Sequence, residues 1–284
     1  MDGKYNDAIA LMDAGKYTEA ITAFEALNGY KESTTKINEC NTAILDGKYN
    51  DAIALMDAGN IVEAYEAMMA LDGYKDSNEK AKSLAYLYSL KTAEVGDFIT
   101  FGKYEQDNDT TNGKEDIEWL VLEVKNGKAL VISKYALDCK QYNTVETYVT
   151  WETCTLRKWL NNDFINAAFS ADQKAMIPTV TVSADKNPEY NTNPGNATQD
   201  QVFLLSIPEV NKYFDSARSC KSTAYATAAS LAADAPNYGW WWLRSPGFYD
   251  RIAVIENFHN VDEYGCDPDS SGAVRPAMWI DLNS

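Results

Sequence analysis

The sequence predicts an α+β domain preceded by an all-α domain of repeated helical hairpins. Three observations predict it. Residues Asp2–Gly15 and Asp46–Gly59 are identical, at an offset of 44 residues, and a period of this size marks stacked helical units. Around Ala93 to Gly96 the apolar residues stop recurring at helical steps and begin to alternate, the signature of half-buried strands. Beyond that point, strand candidates are mixed with a few short helices and long loops, as in a mostly antiparallel α+β domain. The expected boundary divides residues 1–93 from residues 94–284.

In the first domain the repeat extends past the identical segment, with Thr18–Ser33 aligning on Val62–Ser77. Ala20, Ile21, Phe24 and Leu27 fall on one helical face. Gly15, Gly29, Gly59 and Gly73 stand where helices are expected to stop. Met1 aligns with Leu45, inside a repeat. The expectation is that the natural chain continues upstream, so the lack of a visible signal peptide carries little weight.

In the second domain, Val95–Gln106 reads as a strand and Asp109–Asp116 as a polar loop. Ile117–Val124 and Lys128–Ser133 flank Lys125-Asn126-Gly127, and Asn-Gly between apolar alternations is the strongest short-range hairpin signal. Thr155–Phe169 is expected to be one helix, with Leu156, Trp159, Leu160, Phe164 and Ile165 on its apolar face. Ser170 with Gln173 and Ser206 with Glu209 read as capping boxes. Pro178–Asp200 reads as a strand running into a long loop, and Gln201–Ser206 as a short buried strand. Trp241–Ser245, Arg251–Ile255 and Ala273–Leu282 complete the strands.

Composition removes several function classes. The formal net charge is −17, which argues against nucleic acid and against anionic lipid, both of which need Lys and Arg. No apolar run reaches transmembrane length. The five Cys are scattered without a CxxC pair and accompany a single His, His259, a poor framework for a metal. Free thiols are expected, although pairing among Cys139, Cys154, Cys220 and Cys266 stays open in an oxidising compartment. No cofactor is expected.

The repeats resemble tetratricopeptide-like helical repeats, through Tyr17-x-Glu19-Ala20-Ile21-x-x-Phe24 and the following Tyr30-Lys31. This resemblance implies a stalk or docking arm, with a protein partner as the alternative. The second domain carries Thr150-Trp151-Glu152, Leu156-Arg157-Lys158-Trp159-Leu160-Asn161, Val202-Phe203-Leu204-Leu205-Ser206, Thr223-Ala224-Tyr225-Ala226, Trp241-Trp242-Leu243-Arg244-Ser245-Pro246-Gly247 and Val274-Arg275-Pro276-Ala277-Met278-Trp279-Ile280. With these motifs it resembles an uncharacterised bacterial family with a C-type-lectin-like fold of the formylglycine-generating-enzyme type. It is also similar to the variable ligand-binding proteins of diversity-generating retroelements. In those proteins a stretch framed by WLRSPG-like and VRPA-like segments is mutated at adenines. The resemblance implies a surface or secreted bacterial protein.

Between the two framing segments, Phe248–Ser271 is aromatic and acidic with no clean period. Phe248, Tyr249, Asp250, His259, Asp262, Tyr264, Asp267, Asp269 and Ser270 are residue types that diversified codons yield, whereas Val261, Gly265 and Gly272 have the character of fixed spacers. Arg251 and Phe258 complete the candidate ligand-binding set. Trp241 is expected in the core, with Trp240 or Trp242 at the rim. Arg244 and Arg275 are expected to be buried and paired to a carboxylate, with Glu152 a candidate partner. No triad can be built around His259. Asn187-Pro188-Glu189 and Asn193-Pro194-Gly195 resemble calcium-site tripeptides of C-type lectins, but the accompanying Trp-Asn-Asp motif is absent. Asp267-Pro268-Asp269 has the donors to hold calcium, although a plain acidic turn is the favoured reading.

The expectation from all of this is a non-enzymatic module that recognises a protein or glycan through Phe248–Ser271. One alternative is an oxidase of the formylglycine-generating type, for which Cys220 and Cys266 are the nearest pair, although neither lies in a matching motif. The other is a structural surface-protein domain.

Overall fold

In the computed structural model the chain divides into two compact units, Met1–Thr92 and Ala93–Ser284. The residues described are 1–215, 218–229, 240–256 and 260–283.

The first unit is helical: α1 (Asp2–Asp13), α2 (Tyr17–Glu25), α3 (Ser33–Asp57), α4 (Ile61–Met69) and α5 (Ser77–Lys91). Short residues on the inner faces let the helices approach closely. Ala8, Ala20, Phe24, Leu27 and Cys40 form one buried cluster, and Ala52, Met68, Leu71 and Ala81 form a second. Polar contacts recur at the sequence offset. The Tyr30 hydroxyl donates to Asp2 at 2.8 Å, and Tyr74 donates to Asp46 at 3.0 Å. Lys31 lies 5.1 Å from the Tyr5 ring centroid, and Lys75 lies 4.7 Å from that of Tyr49. The periodicity alone did not reveal that α3 is continuous: it closes the first copy and opens the second, so the copies share a helix. Among the described residues, no helix is long and apolar enough to cross a membrane.

The second unit is α+β. It begins with β1 (Phe98–Tyr104), β2 (Glu115–Lys125), β3 (Lys128–Ser133) and β4 (Asp138–Gln141). A helical segment follows, made of α6 (Thr155–Trp159), a π-helical turn (Leu160–Phe164), α7 (Ile165–Ala168) and α8 (Ala171–Ala175). Next come β5 (Val180–Val182), β6 (Thr198–Asp200), β7 (Val202–Phe203), α9 (Ile207–Tyr213) and α10 (Ala224–Ala229). The chain ends with β8 (Trp241–Pro246), β9 (Ile252–Ile255), β10 (Val261–Cys266), β11 (Ser271–Val274) and β12 (Ala277–Asp281).

One sheet has the order β1-β2-β3-β12-β7 and the other β10-β9-β8-β11-β4, while β5 and β6 pair separately. Among the described residues every strand pairing is antiparallel except that of β11 with β8, and the isolated bridge between Ala136 and Ser222 is parallel too. The expected hairpin at Asn126-Gly127 forms, with Lys125 paired to Lys128 so that the turn itself is the two residues Asn126 and Gly127. Both capping boxes form, at Ser170 and at Ser206.

Three expectations are corrected. The helix expected over Thr155–Phe169 is interrupted by the π turn. The strand expected over Gln201–Ser206 pairs only at Val202 and Phe203. The strand expected over Ala273–Leu282 breaks at Arg275-Pro276, where proline has no N–H to donate to a ladder. The two halves then join different sheets, with β11 beside β4 and β12 beside β3. The segment Trp240–Ile280 therefore belongs to both sheets.

Candidate functional site

The middle strand of the second sheet is β8, and all six of its residues are buried. A central strand with both faces covered loses the in/out alternation of a half-exposed one. Trp241 and Trp242 are both fully buried. The candidate assignment of Trp242 to a ligand-facing rim is corrected on this ground. Its indole Nε1 donates to the Lys140 carbonyl at 2.9 Å, and its ring packs on Tyr142 with centroids 5.5 Å apart.

Arg244 is buried and donates to both oxygens of Glu209, to Asp185 at 3.1 Å and to the Leu204 carbonyl at 2.9 Å. It ties β8 to α9 and to the loop after β5. The carboxylate partners are Glu209 and Asp185. Glu152 instead accepts from the backbone and side chain of Asn196. Arg275 is buried too, but its contacts differ from the expected carboxylate pair. It donates to the Ser133 carbonyl at 2.9 Å and lies 5.2 Å from the Trp241 ring centroid.

At the far end of β8 the chain turns over residues 247–251 and returns as β9. Gly247 and Arg251 close the turn backbone to backbone, and the Phe248 amide donates to the Tyr264 carbonyl at 2.9 Å. Tyr249 sits at the tip with φ +58 and is 72% exposed. A bulky residue in the left-handed region is a genuine outlier. Tyr264 lies on β10, the edge strand beyond β9.

The rings of Phe248 and Tyr264 stack with centroids 5.2 Å apart and planes 11° apart. Tyr190 meets both edge-on, at 5.1 and 6.2 Å. These three aromatics are exposed despite packing on one another. The Arg251 guanidinium sits 4.7 Å from the Tyr264 centroid and also pairs with Asp267 at 3.2 Å. The two candidate ligand contacts Arg251 and Asp267 are thus engaged with each other, and Arg251 braces Tyr264.

The patch is held from beneath. Buried Asn187 donates to the carbonyls of Pro246 and Glu263 and accepts from the amides of Glu189 and Tyr190. Thr192 donates to the Gly247 carbonyl at 2.7 Å. The Asn187-Pro188-Glu189 tripeptide is therefore a clamp between the loop and the β8 and β10 backbones. Gly265 has φ +83, and a Cβ there would lie 2.2 Å from the Ile252 carbonyl oxygen. That close approach lets β10 bulge beside β9.

The remaining candidates divide. Asp250 is half-buried in the turn, and Asp262 accepts from the Tyr264 amide at 3.0 Å. The Asp269 carbonyl accepts from Gln141 at 2.6 Å, and its side chain is half-buried. Trp240 is half-buried and packs edge-on against Trp242 at 4.8 Å. It precedes β8 whereas Phe248 follows it, and a strand of six residues spans about 20 Å at the usual rise, so the structure does not bring it to the patch. Phe258 and His259 lie outside the described residues. Tyr190 was missed because nothing local marks it: it reaches the patch from a loop 58 residues before Phe248.

A hollow of about 410 Å³, separate from the patch, lies beside β4 and is lined by Lys140, Thr144, Thr155, Trp159 and Ser271, among others. The Lys140 ammonium there sits 4.6 Å from the Trp159 centroid.

Among the described residues no disulfide forms. Burial pushes Cys154 up to about 12 and Cys266 up to about 11, and raises Cys220 as well. A reactive cysteine needs the opposite shift, toward the thiolate.

No curated protein and no solved structure matches the chain. The family described as a domain of unknown function (DUF6273) matches residues 126–282, more than half of the chain. That match covers β3, both framing motifs and the entire aromatic patch, and the chain belongs to the DUF6273 family.

Proposed function

We propose that this chain is a non-enzymatic, C-type-lectin-like binding module that presents Phe248, Tyr264, Tyr190 and Tyr249 to a protein or glycan. One observation carries the reading: exposed aromatic rings stand on a turn and an edge strand that buried hydrogen bonds hold rigid. Rigid aromatic contact area loses little conformational entropy on binding. Tyr also offers a hydroxyl to a polar ligand. The strained backbone of Tyr249 points the same way, because strain of this kind collects at ligand-contacting sites. The acidic residues around the patch, Asp250, Asp262 and Glu263, favour cationic or polyhydroxylated ligands.

Within this reading the exposed turn and the edge strand β10 of segment 248–271, and not the buried strand β9 between them, form a display surface of the kind diversified by retroelements. Its side chains vary while Gly265 and Gly272 stay, because a Cβ at either would strike neighbouring atoms closer than 2.5 Å. The helical unit serves as a tetratricopeptide-like stalk or docking arm on a surface or secreted protein. Raised thiol pKa values at Cys220 and Cys266 weigh against the oxidase alternative.

The test is a binding screen of the full chain on glycan, peptidoglycan and cell-surface protein arrays. The expected result is saturable binding to one class. No binding to any class counts against the reading. Sequencing the locus tests the diversification part: a near-copy of the segment encoding Trp240–Ile280, differing only at adenines and lying beside a reverse transcriptase gene, is its expected signature.

A further inference from the structure

Away from the aromatic patch, the loop between β1 and β2 gathers three carboxylates. One oxygen each from Glu105, Asp107 and Glu115 lie within 4.8 Å of one another. Chain geometry sets this up, since β1 and β2 are antiparallel with Tyr104 opposite Glu115. Residues leaving one strand therefore face residues entering the other. The three form a gradient from inside to outside: Glu105 is buried, Glu115 half-buried and Asp107 exposed.

Acidic groups meet on many surfaces without consequence. Here a second observation separates this cluster from such cases. Glu105 is only 8% exposed, and its Oε1 atom is buried with no hydrogen-bond partner. A buried carboxylate oxygen without a donor is costly unless a cation or proton meets it. Burial raises the Glu105 pKa first, the negative charge of Glu115 and a side-chain hydrogen bond with Asp107 raise it further, and the Asn108 amide, which reaches the same carboxylate, lowers it. The other two carboxylates are already oriented. Glu115 accepts from the Gln106 amide at 2.6 Å, and Asp107 accepts from the Asp109 amide at 2.8 Å and the Asn112 side chain at 2.7 Å. Beside them opens a hollow of about 320 Å³, lined by Asp107, Glu115, Tyr135, Lys221 and Thr223 among others, which gives an ion and its waters a way in.

We infer that Glu105, Asp107 and Glu115 form a binding site for a divalent cation of the calcium class. The donors are all carboxylate oxygens, with no thiolate or imidazole, which suits a hard cation and not zinc or copper. Calcium fits better than magnesium, because the site is one-sided and irregular and calcium accepts irregular oxygen shells completed by water. The ion would tie the β1–β2 loop to the strand ends and give Glu105 Oε1 its partner. This site is independent of the aromatic patch.

The experiment uses the full chain, stripped with EDTA and titrated with calcium chloride by calorimetry, with thermal melts in parallel. The expected result is saturable one-site binding and a rise in Tm. At a free calcium concentration about 100 times the Kd, the unfolded fraction falls about 100-fold. Glu115→Gln is expected to abolish both the heat and the Tm rise while melting no lower than the native chain in EDTA, because it removes a like charge. If Glu115→Gln does not fold, Asp107→Asn, on an exposed side chain, serves the same purpose. The inference is overturned if the native chain shows neither heat nor a Tm rise with calcium, or if the folded variants respond as the native chain does. A carboxyl proton on Glu105 would then be what satisfies the cluster.

Discussion

Phe248 and Tyr264 are joined twice, by rings stacked 5.2 Å apart and by the Phe248 amide donating to the Tyr264 carbonyl at 2.9 Å. The backbone bond fixes the turn against the edge strand, and the stack turns that fixed spacing into an exposed apolar surface. The order matters physically: the rings are positioned by main-chain geometry and by Asn187, so the surface exists before any ligand arrives.

Asn187 is the support most exposed to test. Replacing it with alanine takes the Asn187 donor from the buried Pro246 carbonyl and from the half-buried Glu263 carbonyl, and an unsatisfied buried group costs about 1–3 kcal/mol. Asn187→Ala is expected to lower stability by about that amount in urea titration. Hydrogen exchange is expected to quicken in residues 187–192 and at the Phe248 amide.

Tyr249 carries a left-handed backbone at the exposed tip. Relief of that strain, about 1–2 kcal/mol for an L-residue, is offset in part by the flexibility glycine adds to the unfolded chain. Tyr249→Gly is therefore expected to hold its stability to within about 1 kcal/mol and to weaken ligand binding. A larger loss of stability would mean that the side chain packs in the free protein.

Gly272 admits the Trp240 ring, and an added Cβ would lie 2.3 Å from it and 2.5 Å from Trp242 Nε1. Gly272→Ala is expected to cost about 1–3 kcal/mol as overpacking and to shift tryptophan fluorescence. An unchanged melt and spectrum would contradict that packing.

In the helical unit, Asp46 is held below its ordinary value of 3.8, first by the hydrogen bond from the Lys75 ammonium and then by that from the Tyr74 hydroxyl. A depressed folded-state pKa gives stability that is present above the unfolded value and lost as pH falls through the folded one. Tm measured against pH is expected to show native and Asp46→Asn chains diverging above about pH 4 and converging below it. The gap is small, because the pair is largely exposed and solvent screens it.

Much of the fold was legible because its signals are local. Ser170 and Ser206 announce helix starts through a residue three positions on, and Asn126-Gly127 announces its hairpin within four residues. The shared helix α3 was hidden because identical segments mark a period and not where one copy ends. The break at Arg275-Pro276 was signalled by the proline yet masked by the apolar run on either side.

The candidate site was legible in part. Phe248, Tyr249 and Tyr264 stood out between two framing motifs. Trp242 was misplaced because alternation fails on a central strand, and Trp240 because proximity in sequence becomes the length of a strand in space. Tyr190 depended on a contact between distant loops, and no local pattern encodes that.

The most direct test of the central claim compares the native chain with the triple variant Tyr190→Ala, Phe248→Ala, Tyr264→Ala. Both are assayed on the ligand class the arrays identify and by thermal melting. Binding carried by clustered aromatic anchors is expected to weaken by about thirtyfold or more, with Tm lowered by the loss of the three mutual ring contacts but the fold retained, because the rings lie outside the core. Undiminished binding, or a collapse of Tm, would contradict the account and make these rings bystanders or core.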